Sequence, residues 1–353
     1  MDADTEPVVR IGFIGCGRVT DELHLPALKQ LRGAEIVGLA DTDPHALRRA
    51  SRHVRATHLV ADYQDLLKVD SIEAVAVCVP PQQHVEVALA ALDAGKHLLI
   101  EKPLALTLKD CDRLITRASS TNRTVMVGFN TRWHRLARHA RALVEQGGLG
   151  PLDLIRSVRT SGHHTVPEWR KTRANGGGVL LDLAIHHFDL WHYLVQAEVE
   201  EVTAYTRSEL REDESAAVIA RMSNGALATV ACAERTYQNN VIEICGRAGS
   251  LTLSFYRFDG LEYASETDFP GSLRSRMDAV KRLVQELPQA ILRLRQGGEW
   301  LLSYREEWRH FIASLRQGSA VGCSLHDGRR ALAVAAAAIE SASTGRSVKI
   351  TRP

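Results

Sequence analysis

The sequence predicts two domains, a doubly wound parallel α/β domain followed by an α+β domain on an antiparallel sheet. Three observations carry this. The first 128 residues alternate apolar, strand-like runs with helical patterns. The middle is a series of short strands divided by turn residues, with one long helix among them. The tail is helical, and 353 residues are too many for one ordinary core.

In the first region, runs rich in Val and Ile lie at 8–14, 35–40, 74–79, 97–100 and 124–127, with helical patterns such as 82–94 and 108–119 between them. A helix follows near 132–146. Short strands are then expected at 152–160, 199–207, 215–222, 226–234, 240–245 and 250–255, broken by Ser223-Asn224-Gly225 and by the turn 246–249. They succeed one another without helices, so they pair antiparallel. A long helix over 179–195 interrupts the series. Residues 273–296 show apolar positions at helical spacing, with Pro288 expected to kink or split the helix. Its bases outnumber its acids, which fits a solvated basic face, an oligomer contact or a lid over an anionic ligand. A final helix is expected at 327–343 and a short strand at 347–350.

Composition narrows the function. Apolar residues make up 45% and charged residues 24%, with a net charge of +2 and a pI near 8.2. That balance predicts no nucleic-acid and no membrane partner. The acidic start MDADTEPVVR lacks the pattern of a secretion signal, and the longest apolar stretch, 331–339, is far short of a membrane span. Six scattered cysteines form no CxxC pair, so reduced thiols in a cytoplasmic protein are expected, with no metal site.

The first strand runs into Gly12-Phe-Ile-Gly15-Cys-Gly17-Arg18-Val19-Thr20. Gly15 suits the tight turn of a dinucleotide fingerprint. Gly17 suits the close approach of backbone to pyrophosphate, over a helix starting near Arg18. Thr20 occupies the third position, where Gly or Ala is usual, so helix and strand should pack further apart. Asp41 ends the second strand, where a carboxylate accepts from ribose hydroxyls and repels a 2′-phosphate. The alternative makes Asp41 a helix cap, but Asp43-Pro44 is a good cap and first-turn pair and frees it. NAD is therefore favoured over NADP.

Two further segments point to chemistry. Pro80, His84, Glu101, Lys102 and Pro103 follow the ends of parallel strands, the edge at which such sheets bind ligands. Lys102 is a candidate acid/base there, unless it merely pairs with Glu101. In Asn175-Gly-Gly-Gly178-Val-Leu-Leu-Asp182-Leu-Ala-Ile-His186-His-Phe-Asp189, the polar residues Asp182, His186 and Asp189 share one face of a largely apolar helix. They read as a substrate-binding stripe or as a satisfied buried network, and the glycine triplet would let a ligand approach backbone. His163 and His164 are expected near the pocket mouth.

The ordered set GCGRV, Asp41, VPPQQH, AGKHLLIEKP, GFNTRW and GGGVLLDLAIHHFD resembles the Gfo/Idh/MocA oxidoreductase family over nearly the whole chain. The resemblance implies a Rossmann domain over 1–128 and an open antiparallel-sheet domain over 129–324. Residues 325–353 follow, with their helix returning to the first domain. It also implies a cis Lys102-Pro103 bond and a homodimer or homotetramer built through the sheet. By resemblance, Lys102 is the catalytic acid/base, with Asp182 and His186 orienting substrate and handling its proton. Gly15, Gly17, Arg18, Val19, Asp41, Pro80, His84, Glu101, Lys102, Trp169 and Arg170 are cofactor-side. Ala184 replaces a common glycine and should narrow the pocket.

The function so implied is hydride transfer between NAD(H) and a carbinol carbon of a sugar, a cyclitol or a derivative such as an amino or nucleotide sugar. Lys102, Asp182 and His186 come from distant segments and would meet at a cleft between the domains. An NAD-dependent glycosidase using transient oxidation and a non-catalytic dinucleotide-sensing regulator are the alternatives.

Overall fold

A computed structural model of the chain describes residues 8–162, 166–269 and 271–350. His163 and His164 lie outside the described residues. The chain forms two compact units. One runs to Asn130 and includes Ser303–Arg330, and the other comprises Thr131–Leu302 and the residues from Ala331 on.

The first unit is built on six parallel strands: β1 (Val9–Ile14), β2 (Ala34–Ala40), β3 (His58–Val60), β4 (Ala74–Val77), β5 (His97–Glu101) and β6 (Val125–Gly128). Their order is β3-β2-β1-β4-β5-β6, and every neighbouring pair is parallel. The strands β4 and β6 are buried at every position, as a sheet covered on both faces requires. Strand order reverses between β1 and β4, which opens a crevice at their carboxyl ends. The helix Leu108–Ser119 starts where expected because the Thr107 side chain accepts from the Asp110 N–H at 3.1 Å.

Two elements of this unit escaped the sequence reading. The strand β3 is three residues long and only partly buried, without an apolar run to mark it. The helix Gly298–Gln317 does carry a periodic signal, in Tyr304, Trp308, Phe311 and Ile312, all buried. Trp308 packs against Phe13 of β1 with ring centroids 5.6 Å apart.

The second unit contains β7 (Leu152–Thr160), β8 (Val199–Arg207), β9 (Ser215–Met222), β10 (Leu227–Ala233), β11 (Asn239–Gly246), β12 (Gly249–Ser254), β13 (Leu261–Ser265) and β14 (Val348–Lys349). Their order is β13-β12-β11-β7-β10-β9-β8-β14. The sheet is antiparallel except where β7 meets β10 in parallel. That exception follows from topology. The runs β8-β9-β10 and β11-β12-β13 are two meanders, and β7 joins them, so it runs against β11 and with β10. Burial alternates along β9, as expected for a sheet with one covered face.

The helix Ile185–Val195 is almost wholly buried and is tied to β7 by Trp191, whose indole N–H donates to the Ser157 hydroxyl at 2.9 Å. Asp189 receives Arg132 through two bonds, Nε to Oδ2 at 2.8 Å and Nη2 to Oδ1 at 2.5 Å, with both residues buried. The Arg132 guanidinium also lies 5.3 Å from the centre of the Tyr193 ring. Asp189 therefore serves the core, leaving Asp182 and His186 of the predicted polar stripe.

Pro288 neither splits nor ends its helix, which is continuous over Leu273–Arg295. Val284, whose carbonyl loses its usual donor, is solvent-exposed, so water can take the missing partner's place.

Candidate active site

The carboxyl ends of β1 and β4 meet closely. Gly15 has a φ of +95°, and a Cβ there would lie 2.5 Å from the Cys78 carbonyl oxygen. Only glycine fits that turn. At Gly17 an added Cβ meets no described atom within 4 Å, which leaves room for a ligand against the backbone. The helical segment begins at Arg18. Arg18 itself is exposed and pairs with Glu22 at 3.0 Å, and Val19 is half-buried.

Thr20 is fully buried and donates its hydroxyl to the Gly15 carbonyl at 2.7 Å. The next turn, Thr20–His24, is a π-helix. The wider turn accommodates a side chain where glycine or alanine is usual, and the hydroxyl pins the loop it follows.

Asp41 holds the same loop from the other side. Its Oδ2 accepts from the Cys16 N–H at 2.6 Å and its Oδ1 from the Asp43 N–H at 2.7 Å. Asp43, as expected, caps the helix Pro44–Ser51 by accepting from the His45 N–H. Each Asp41 oxygen retains a lone pair, so the carboxylate can still accept from ribose hydroxyls. Burial, and then the charge of Asp41, pushes the Cys16 thiol up to about 12, so this cysteine is no nucleophile.

His84 bridges the loops after β4 and β5. It is buried, with Nε2 2.9 Å from the Val79 carbonyl and Nδ1 2.8 Å from that of Pro103. Burial lowers its pKa against the pull of those two carbonyls. Pro80 is half-buried at the start of this bridge, and the Lys102-Pro103 bond is cis.

Glu101 is buried at the tip of β5. Its Oε1 lies 2.9 Å from His24 Nε2, and its Oε2 accepts from the Lys102 backbone N–H at 3.1 Å. Burial opposes ionisation, but His24 and Lys102 outweigh it and hold the carboxyl below its ordinary range. The Trp308 indole N–H donates to His24 Nδ1 at 3.0 Å. An indole can only donate, so Nδ1 carries the lone pair and Nε2 the proton that faces Glu101. The main side-chain anchor of Glu101 is thus His24, while Lys102 contributes its backbone N–H and its charge.

Sequence reasoning missed His24, Trp308 and Glu307, which become neighbours only through the fold. Glu307 is fully buried, and neither carboxyl oxygen has a hydrogen-bond partner among the described residues. Burial, then the charge of Glu101, pushes its pKa well above the ordinary carboxyl value.

In the second unit, Asp182 forms an ion pair with Arg170, and Arg170 also reaches Glu234 at 3.1 Å. Arg211 meets the other oxygen of Glu234 at 3.0 Å. Glu234 and Arg211 carried no sequence signal. Trp169 is half-buried beside this cluster in sequence, and His186 is buried. Asp182 sits on the π-helical turn Leu180–Ala184 and His186 on the α-helix that follows, so their offset departs from simple α-helical spacing.

Two expectations for this segment are corrected. At Gly177 the chain itself approaches, since an added Cβ would lie 2.1 Å from the Arg170 carbonyl oxygen. Gly177 seats the Arg170 carbonyl and needs no ligand to explain it there. Ala184 is fully buried, so its methyl fills packing and narrows no pocket.

Residues 9–129 match the profile described as the Gfo/Idh/MocA oxidoreductase family, NAD-binding Rossmann fold. Residues 141–350 match that family's C-terminal alpha/beta domain. The chain belongs to this family. Its dinucleotide is NAD, and the Gly15–Arg18 turn with Asp41 fits it. Among Gfo/Idh/MocA relatives, a myo-inositol 2-dehydrogenase of Thermotoga maritima is 29% identical over 351 residues, covering 97% of this chain and 98% of that one. An inositol 2-dehydrogenase of Rhizobium meliloti is 26% identical over 358 residues, covering 97% and 99%. The crystal structure of a probable dehydrogenase from Thermotoga maritima aligns with a TM-score of 0.78 at 27% identity, covering 97% of this chain and 99% of that one. Nothing in these matches favours the glycosidase or the regulator.

Two outcomes are expected. NAD gives a higher kcat/KM than NADP, and Asp41→Ala narrows the gap; steady-state kinetics with both cofactors checks this, and an unmutated protein that favours NADP contradicts it. Glu307 binds its proton more tightly folded than unfolded, so its contribution to stability falls as pH rises from the ordinary carboxyl value toward the raised one. Glu307→Gln keeps the shape without the titratable group. Its Tm should exceed that of the unmutated protein by a margin that widens as pH rises above the ordinary carboxyl value in thermal unfolding.

Proposed function

We propose that this chain is an NAD-dependent dehydrogenase acting on a secondary alcohol of a cyclitol or sugar, with Lys102 as its acid/base. The observation that carries this reading is the position of Lys102. It follows the carboxyl end of β5, on the sheet edge that also bears the Gly15–Arg18 turn and Asp41. Ligands of open α/β sheets bind at that edge. Two of the relatives that match over nearly their full length are named as inositol 2-dehydrogenases, so cyclitols head the candidate substrates.

Bound NAD supplies the hydride acceptor. The residues of this chain supply orientation and proton transfer. Gly17 and the amides from Arg18 hold the pyrophosphate, and Asp41 the ribose. Lys102 takes the hydroxyl proton during oxidation and returns it during reduction. Glu101, fixed by His24, keeps the lysine in place. Asp182 accepts from a substrate hydroxyl, with Arg170 fixing the carboxylate's orientation, and His186 shares the proton handling. Trp169 and Arg170 line the cofactor side. Assembly through one face of the eight-stranded sheet, where Tyr205 and Ile219 are exposed, belongs to the same reading.

Positioned acid/base groups contribute about 10²–10⁴-fold in rate. Lys102→Ala should lower kcat by that order while NAD binding, followed by fluorescence titration, persists. His186→Ala should lower kcat less, and Asp182→Ala should change both kcat and KM. A Lys102→Ala protein that keeps most of its kcat refutes the assignment. A screen for NADH formation across cyclitols, free sugars, sugar phosphates, nucleotide sugars and amino sugars then identifies the substrate.

A further inference from the structure

The helix Leu273–Arg295 is turned inside out. It has no buried residue, and its large apolar side chains are exposed. Leu273 is 76% exposed, Met277 64%, Val284 63% and Leu294 74%. The half-buried side is the polar one. Arg282 pairs with Glu262 at 3.3 Å, Glu286 with Arg135 at 3.4 Å, and Arg293 with Glu299 at 2.7 Å. Small Ala279 and Ala290 lie on that side as well. Ion pairs therefore clamp the helix to its own unit by its charged face and turn its apolar face outward.

The apolar face has a strict period. Leu273, Val280, Leu287 and Leu294 recur every seven residues, and Met277, Val284 and Ile291 recur every seven between them. Steps of four and three alternate without a fault, a 3.5-residue repeat. One set is mostly Leu and the other mostly β-branched, the division found at the seam between two paired helices. A patch this large is unusual on a surface that stays in water.

We propose that this stripe pairs with the same stripe on a second copy of the chain. Covering it with a like surface buries roughly 700–900 Å² per copy, the size of a standard stable interface. A two-fold contact of a patch with itself is the commonest closed assembly. An antiparallel arrangement of the two helices opposes their dipoles favourably. The helix holds no aromatic residue to sit at a lipid boundary, so a membrane surface suits it less.

The test compares the full chain with Val284→Glu/Ile291→Glu by size-exclusion chromatography with light scattering. Both positions are exposed, so the substitutions remove no core contact. The unmutated protein should have twice the mass of the variant, while NAD titration shows the variant folded. If the glutamates cause aggregation, Leu287→Ala/Ile291→Ala serves instead and should shift dissociation to higher protein concentration. Equal masses overturn the proposal. Co-sedimentation of the unmutated protein, but not the variant, with equimolar phosphatidylglycerol/phosphatidylcholine vesicles, at equal masses, assigns the stripe to a membrane and also overturns it.

Discussion

The first unit depends on one buried carboxylate. Glu101 is buried at the end of β5, and a charge placed there must be paired or hydrogen-bonded. Its partner, His24, comes from the helical segment after the glycine turn. The tautomer of His24 is fixed by Trp308, from a helix nearly three hundred residues later in the chain. Three distant segments are thus joined at the edge where Asp41 and Thr20 hold the glycine loop. Glu307 shows what the arrangement costs. Burial and the charge of Glu101 push its pKa up, and its carboxyl oxygens have no hydrogen-bond partner among the described residues.

The second unit follows a different rule. Its charges are balanced in local clusters, Arg132 with Asp189 and Arg170 with Asp182 and Glu234. The first is a core device that closes a helix onto the chain before β7. The second fixes a carboxylate on a π-turn, where the altered pitch sets its direction apart from the helix that follows. Gly177 admits the Arg170 carbonyl against the backbone just before that turn. The helix Leu273–Arg295 uses charge in yet another way, to hold itself by its polar side.

Much of the fold was legible because the signals were local. Continuous apolar runs marked β1, β4 and β5, and alternation with turn residues marked β8 to β12. Asp43-Pro44 announced its cap, and Gly15 its turn. The short edge strand β3 lacks such a signal. The parallel contact of β7 with β10 follows from the path of the whole sheet and from no residue in either strand. The site divides in the same way. Lys102, Glu101 and Asp41 stood at strand ends, where parallel-sheet geometry assigns ligand contacts. His24, Trp308, Glu307 and Glu234 stood in ordinary helical or strand contexts and meet their partners only through tertiary packing. Asp182, His186 and Asp189 looked equivalent on a helical wheel, yet only burial and a matching arginine reveal that Asp189 belongs to the core.

The central claim is that the Glu101 carboxylate, held by His24, sets the working state of Lys102 in proton transfer. The direct measurement is the pH dependence of kcat/KM for alcohol oxidation in Glu101→Gln, beside NAD titration. Glutamine keeps the size and a hydrogen bond to His24 but removes the negative charge that favours the lysine ammonium. The account predicts that the low-pH limb moves to lower pH while NAD still binds. A limb that stays in place, or moves to higher pH, contradicts it.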